Sequence, residues 1–339
     1  MSAIASALNR LAAELETLTA RLGRRVDVAE LGVTDRAGQL QLGPPGRISC
    51  NRACRLVRAA DGWIAANLAR EEDRELIPAW LHGGGDDWDA IERCAANRPS
   101  ADLLADAILL GLPVGRVGEA TSNGFAPPAI RLAPPAAPRS GALRVVDLSA
   151  LWAGPMCGEI LAAMGAEVVK LESGSRPDPT RSTMPDFFRR LNGRKQRLTL
   201  DFAQDSDRAK LVRAFSEADI VVTSARPRAF PGLGLDPAAV FAANPALVWI
   251  AITGHGWTGE AAQRVGFGDD TAAAGGLVRW TADGKPRFLG DALADPVTGL
   301  TAAVAALRAL EAGGGVLVDV AMASSAAAAG ELCLTGAAA

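Results

Sequence analysis

Residues 144–172 read Arg-Val-Val-Asp-Leu-Ser-Ala-Leu-Trp-Ala-Gly-Pro-Met-Cys-Gly-Glu-Ile-Leu-Ala-Ala-Met-Gly-Ala-Glu-Val-Val-Lys-Leu-Glu. Val145 to Leu148 is a short apolar run of the kind that forms a buried strand, and Ser149 to Pro155 is a turn. Met156 to Met164 reads as an apolar helix that Gly165 ends, and Ala166 to Glu172 as a second strand. The unit is βαβ. Parallel strands need such a crossover, and stacked units build a doubly wound, Rossmann-like α/β sheet whose ligands sit beyond the carboxyl ends of the strands. The turn at 149–155 is therefore the first place to look for a site. It lacks the G-x-G-x-x-G pattern that lets backbone approach a dinucleotide pyrophosphate, which argues against a nicotinamide-dependent dehydrogenase.

The chain has 339 residues, 49% hydrophobic and 22% charged, enough for two domains with a large core. Its formal net charge of −3 and interspersed Lys and Arg give no general attraction to nucleic acid or anionic lipid. An anionic ligand must be held by a local pocket. Cys50, Cys54, Cys94, Cys157 and Cys333 are odd in number and scattered, so neither a disulfide framework nor a metal site is expected, and a cytoplasmic location fits best. Glu14 and Glu16 interrupt the N-terminal apolar pattern, which argues against a signal peptide, and no run is long and apolar enough for a membrane span.

Ile4, Leu8, Leu11, Leu15, Leu18 and Leu22 recur at helical spacing and predict an amphipathic helix packed in a core or dimer interface. A Gly- and Pro-rich stretch at 33–49 reads as a loop. Residues 55–69 read as two strands joined by an Asp61-Gly62 turn of positive φ, and helical patterns follow at 72–81, 87–96 and 100–110. Residues 121–142 hold five prolines among small side chains and predict an extended linker. The expected organisation is a smaller α+β domain at 1–120, including the amphipathic helix, the linker at 121–142, and the Rossmann-like domain at 143–339.

Beyond the first βαβ unit, further motifs follow in order. They are Leu191-Asn192-Gly193-Arg194-Lys195 before a strand ending Leu200-Asp201, Ala218-Asp219-Ile220-Val221, Arg226-Pro227, Leu233-Gly234-Leu235, Asn244-Pro245, and Thr253-Gly254-His255-Gly256. Together with Asp147-Leu148-Ser149, Ala153-Gly154-Pro155, Lys170 and Glu172, this run resembles the family III CoA-transferases, the CaiB/BaiF group that includes formyl-CoA and carnitine-CoA transferases and α-methylacyl-CoA racemases. Asp61-Gly62-Trp63-Ile64-Ala65 and Leu110-Gly111-Leu112-Pro113-Val114 are similar to the family's small domain, which in the family follows the nucleotide-binding-like half. Here it precedes it, as in a circular permutation or one half of a fused tandem protein. Ser224-Ala225 departs from the Glu-Asn that the family usually places before Arg-Pro.

The resemblance implies an acyl-CoA:carboxylate CoA-transferase, with acyl-CoA and a carboxylic acid as substrates, no metal, and an interlocked homodimer. Coenzyme A carries phosphates that guanidinium forks and backbone donors read. The implied binding residues are Ser149, Ala150, Arg176, Asn192, Arg194, Lys195, Arg226, Gly254 and Gly256, with Arg228 a further candidate. The family's nucleophilic aspartate lies four residues before a glycine that opens a helix, and Asp295 has that spacing to Gly299. Asp291 does not. Racemases place a His where this chain has Phe267, which cannot shuttle a proton. Racemase-like chemistry and a non-catalytic CoA-binding protein are the alternatives. Asp269 and Asp270 read as caps of a following helix, and His255 as structural.

Overall fold

The computed structural model describes residues 3–136 and 141–335. The chain opens with α1 (Ala3–Leu22) and two single-turn helices, α2 (Val28–Leu31) and α3 (Ala37–Leu40), the last inside the stretch expected to be loop. A small lobe follows, comprising β1 (Cys54–Arg58), β2 (Trp63–Asn67), α4 (Glu71–Glu75), α5 (Ile77–Trp80), α6 (Trp88–Ala95), α7 (Ser100–Leu110) and β3 (Val114–Arg116). Its three strands form an antiparallel sheet in the order β1-β2-β3, with Arg58 opposite Trp63. The hairpin forms where expected but without the expected turn. Gly62 is not among the residues of positive φ, and the Asp61 carboxylate instead accepts the Ser100 N–H at 2.7 Å, tying the turn to α7.

The large lobe runs β4 (Ala129–Arg131), β5 (Arg144–Leu148), α8 (Ala153–Ala163), β6 (Glu167–Ser173), α9 (Thr180–Thr183), α10 (Pro185–Asn192), β7 (Gln196–Leu200), α11 (Asp205–Glu217), β8 (Ile220–Thr223), α12 (Pro237–Ala243), β9 (Val248–Thr253), α13 (Gly268–Ala274), the hairpin β10 (Val278–Trp280) and β11 (Pro286–Phe288), α14 (Ala294–Glu311), β12 (Val316–Ala321) and α15 (Met322–Thr335). The large sheet has the order β4-β12-β9-β8-β5-β6-β7, and every pair is parallel except β4 with β12. Without β4 this is the doubly wound order of a Rossmann sheet, whose reversal lies between β5 and β8.

Two cores cover the two faces of the sheet. One gathers Trp249, Phe215, Phe230 and Phe241 beneath α11 and α12. The other joins α8, α14 and α15 to the leucine stripe of α1 through Leu11, Leu15, Ile160, Leu300 and Leu307. The amphipathic helix, placed on sequence with the small domain, packs instead into the large lobe, because the alanine-rich α14 offers a flat face to its leucines. The expected linker likewise contains β4, whose Ile130 lies opposite Leu317 and lends the sheet an antiparallel edge. Residues 137–140 of that linker lie outside the described residues, as does the side chain of Cys333. The thiols of Cys50, Cys54, Cys94 and Cys157 are free.

Candidate active site

The turn after β5 is fixed from below by a buried charge network. Asp147 is fully buried and accepts Lys195 Nζ at 2.7 Å. Burial pushes its carboxyl upward, but Lys195 and Lys170 override this and hold it at about 2. Lys195 also donates to the Pro155 carbonyl at 2.7 Å and to Asn192 Oδ1 at 2.9 Å, so its three protons are all engaged. Lys170 donates to the Ser149 carbonyl at 2.7 Å, and the Ser149 hydroxyl donates to Asp147. Ser149, Asn192 and Lys195, expected to bind ligand, are thus buried scaffold whose polar atoms serve the turn. Arg194 pairs with the buried carboxylate of Glu159 and keeps half of its side chain exposed.

Above this network the loops at the strand ends converge. Ala150 N donates to Ser224 Oγ at 3.0 Å across the reversal between β5 and β8, and Leu151, held at φ 71°, donates to Asp178 at 3.1 Å. Arg226, after β8, is half-buried. Its pKa is lowered by burial and then by Arg228, Arg70 and Arg176, with no carboxylate countering them. Four arginines from three loops, one in the small lobe, thus share a field that favours an anion. Arg70 is itself paired with Asp73 and lies over the Phe267 ring. Gly254 packs against Gly266, where an added Cβ would stand 2.7 Å from the Gly266 nitrogen, and Gly256 has φ 145°. His255 between them is pushed down to about 3 by burial and by Arg264, and its Nε2 has no hydrogen-bond partner, so at neutral pH it is an uncharged imidazole.

The second half of the site is a group of four aspartates at the first turns of α13 and α14 and in the loop before α14. Asp269 and Asp270 are buried on α13, where Asp270 accepts Phe267 N at 3.0 Å at the start of the helix. Asp269 instead accepts Ala292 N at 2.8 Å and so pins the loop before α14. Asp291 is clamped by Arg36 through two hydrogen bonds of 2.7 and 2.6 Å. No sequence motif marks this guanidinium, which the loop after α2 delivers. Trp152 Nε1 donates to the Val33 carbonyl at 2.8 Å, and Arg36 then stacks 5.0 Å over the same indole. Burial works against the Arg36 charge, yet Asp291, Asp295 and Asp269 together raise its pKa.

Asp295 sits in the first turn of α14 and does not cap it; the backbone N–H of Ala153, at the start of α8, draws its pKa down. Burial raises it to about 7, Arg36 draws it down, and Asp269 and Asp291 push it up again. Two glycines admit it to this position. A Cβ on Gly268 would lie 2.0 Å from Asp295 Oδ2, and one on Gly299 would lie 2.9 Å from the Ala153 carbonyl where α14 crosses α8. Asp269 and Asp270 are raised to about 6 and about 7, burial being the first cause of each. A carboxylate of perturbed pKa beside a guanidinium, near the carboxyl ends of the strands, is a candidate nucleophile. The described residues contain no group of three or more His, Cys, Asp or Glu side chains suited to hold a metal, and no helix long and apolar enough to cross a membrane.

Residues 141–335 match the sequence profile of CoA-transferase family III. Among curated relatives, the succinyl-CoA–D-citramalate CoA-transferase of Chloroflexus aurantiacus is 32% identical over 191 residues, 52% of this chain and 48% of that protein. The human succinyl-CoA:glutarate CoA-transferase is 29% identical over 197 residues, 54% of this chain and 45% of that protein. Among solved structures, a CaiB/BaiF family protein from Brucella suis aligns with a TM-score of 0.51 at 32% identity, covering 55% of this chain and 53% of its own. A hypothetical protein from Mycobacterium tuberculosis gives 0.53 at 30% identity, with 60% of each chain covered. The chain spans about half the length of the curated relatives it matches. With more than half of its residues inside the family profile, and with the nucleotide-binding-like sheet and the aspartate before the α14 glycine both in place, the chain belongs to CoA-transferase family III.

Proposed function

We propose that the protein is an acyl-CoA:carboxylate CoA-transferase working through a covalent intermediate on Asp295. The observation that carries this reading is the setting of Asp295, a carboxyl at a helix start, opposed to the Arg36 guanidinium and packed against a glycine that leaves its Oδ2 approachable. In the proposed sequence the Asp295 carboxylate attacks the donor thioester carbonyl and expels the thiolate, leaving a mixed anhydride. The thiolate then attacks the aspartyl carbonyl, releasing the donor acid and leaving an aspartyl thioester. The acceptor carboxylate runs the two steps in reverse. Each step exchanges one acyl substituent for another, so a hard displacement is divided into easier ones.

Arg226, Arg228, Arg176 and Arg70 suit the phosphates of CoA, because Arg226 faces like charges with no carboxylate to offset them. Arg36 holds Asp291, which limits the repulsion that two neighbouring carboxylates would otherwise exert on Asp295. The order of the two lobes is consistent with a permuted or half-tandem arrangement, and the interlocked homodimer belongs to the same reading. Phe267 caps α13 and contacts Arg70, so it supplies no proton carrier for racemase chemistry.

The test is exchange between CoA esters and free acids. Wild type should exchange, Asp295→Asn should not, and Asp291→Asn should retain measurable turnover. The rate should rise with pH through about 7 as Asp295 ionises. Exchange by Asp295→Asn at the wild-type rate contradicts the proposal.

A further inference from the structure

A cavity of about 670 Å³ opens between the segment 43–52 and the β10–β11 hairpin. Arg47, Ile48, Arg52, Lys285 and Arg287 are among its lining residues, and no carboxylate lines it. Phe288 N donates to the Gly46 carbonyl at 2.9 Å and so joins the two walls. At the same place a Cβ on Gly46 would stand 3.5 Å from the Arg287 guanidinium, so this side chain lies across the seam between them. Pro44 and Pro45 stiffen the wall that faces the hairpin.

The charges of the cavity do not balance. Lys285 pairs with Asp283 at 2.7 Å and Arg47 stands 4.0 Å from Glu92, but among the described residues neither Arg52 nor Arg287 has an ion-pair partner. Arg52 is held in the left-handed region at φ 65°, a conformation few arginines adopt, where its N–H donates to the Ser49 carbonyl at 3.0 Å. Arg279 lies directly opposite Arg287 in the hairpin register and shares its face of the ribbon. It too has no ion-pair partner among the described residues. Like charges directly opposed on two strands weaken their pairing, and an anion held over them removes that cost. Three guanidiniums thus stand uncompensated at one cavity in a chain whose net charge is −3.

A single carboxylate engages one guanidinium fork and would leave two of the three unpaired. A phosphoryl group carries close to two charges near neutral pH and offers three acceptor oxygens. Two linked phosphoryl groups match three guanidiniums, and the volume leaves room for an organic substituent against Pro44 and Ile48. We infer that this cavity binds a small metabolite bearing a diphosphate group, with Arg52, Arg279 and Arg287 as its anion contacts. The site is separate from the one proposed for the phosphates of CoA, because Arg70, Arg176, Arg226 and Arg228 do not line it. The inference goes beyond the transferase reading and does not depend on it.

The test is calorimetric titration of the full chain with inorganic pyrophosphate in the presence of excess CoA, at fixed ionic strength, with glutarate as the carboxylate control. It is repeated on the double variant Arg52→Asn, Arg287→Gln and on Arg279→Gln. Asn is chosen because it tolerates positive φ. All three arginines are exposed, and circular dichroism checks that the variants fold. Wild type should bind pyrophosphate with CoA present and at least about tenfold more tightly than glutarate, the scale of one charge-assisted contact. The double variant should lose that binding and keep the wild-type affinity for CoA, and Arg279→Gln should weaken pyrophosphate binding by a smaller factor.

No pyrophosphate binding by wild type, binding that CoA displaces, or glutarate bound as tightly as pyrophosphate overturns the inference. So does pyrophosphate affinity unchanged in a folded double variant, or, should that variant not fold, unchanged in Arg279→Gln. Loss of CoA affinity in the double variant would also overturn it, since the cavity would then belong to the CoA pocket. Absence of CoA exchange would sink the transferase reading and leave the diphosphate site standing.

Discussion

Asp270 carries a proton where a surface aspartate would not, and that has a thermodynamic consequence. Its pKa of about 7 lies well above the ordinary 3.8. Below about pH 4 the folded and unfolded chains both hold the proton. Between there and about 7 the folded chain keeps a proton that the unfolded chain has released, so stability falls as the pH rises through that window. Asp269 and Asp295 are raised by burial and act in the same direction. Asp270→Asn keeps acceptors for Phe267 N and Asn67 Nδ2 while removing the ionisation, so it should flatten the slope by on the order of 2 kcal/mol between pH 5 and 8. Urea unfolding at several pH values measures this, and parallel curves for wild type and variant would contradict it. At this scale the sequence points to Asp295 and Gly299 only through the family resemblance, since their spacing alone reads as a helix cap. Arg36 is not legible, because its partner lies 255 positions away and no local pattern marks a guanidinium that docks on an indole. The buried pairing of Lys195 is hidden for a related reason. A lysine at a strand end looks free until three acceptors are seen to converge on it.

At the scale of elements, α8 shows how the βαβ motif works. Its Gly158 leaves room for the Asp147–Lys195 pair, and its Ala153 carbonyl meets Gly299 of α14. The motif residues that look like ligand contacts divide into two classes, those beneath the turn and those above it, and the classes respond differently to mutation. Lys195→Met strands the buried Asp147 charge and two further acceptors, and should destabilise the fold by about 3–5 kcal/mol. Arg226→Ala removes an arginine that already opposes like charges. It should leave the urea midpoint nearly unchanged and weaken CoA binding by about 1–3 kcal/mol. Unfolding curves and CoA titrations on both variants separate the classes. A stable Lys195→Met protein with lost CoA affinity would return that lysine to the ligand.

Over the whole molecule, the large, mostly parallel doubly wound sheet follows from the alternation of apolar runs and helices. The sequence did not disclose where α1 would pack or that the proline-rich stretch holds a strand. Both depend on long-range partners, the alanine face of α14 for one and the free edge of β12 for the other. These placements bring residues from distant segments to one carboxyl group: Arg36 from the loop after α2, Ala153 from α8, Gly268 from α13 and Asp295 from α14. The assembly has chemical meaning only if that carboxyl group becomes acylated. Hydroxylamine or borohydride trapping during turnover, followed by peptide mass spectrometry, tests this most directly. The modification should fall on Asp295 and be absent from Asp295→Asn. A trap on Asp269, Asp270 or Asp291, or full exchange by Asp295→Asn with no residue modified, would contradict it.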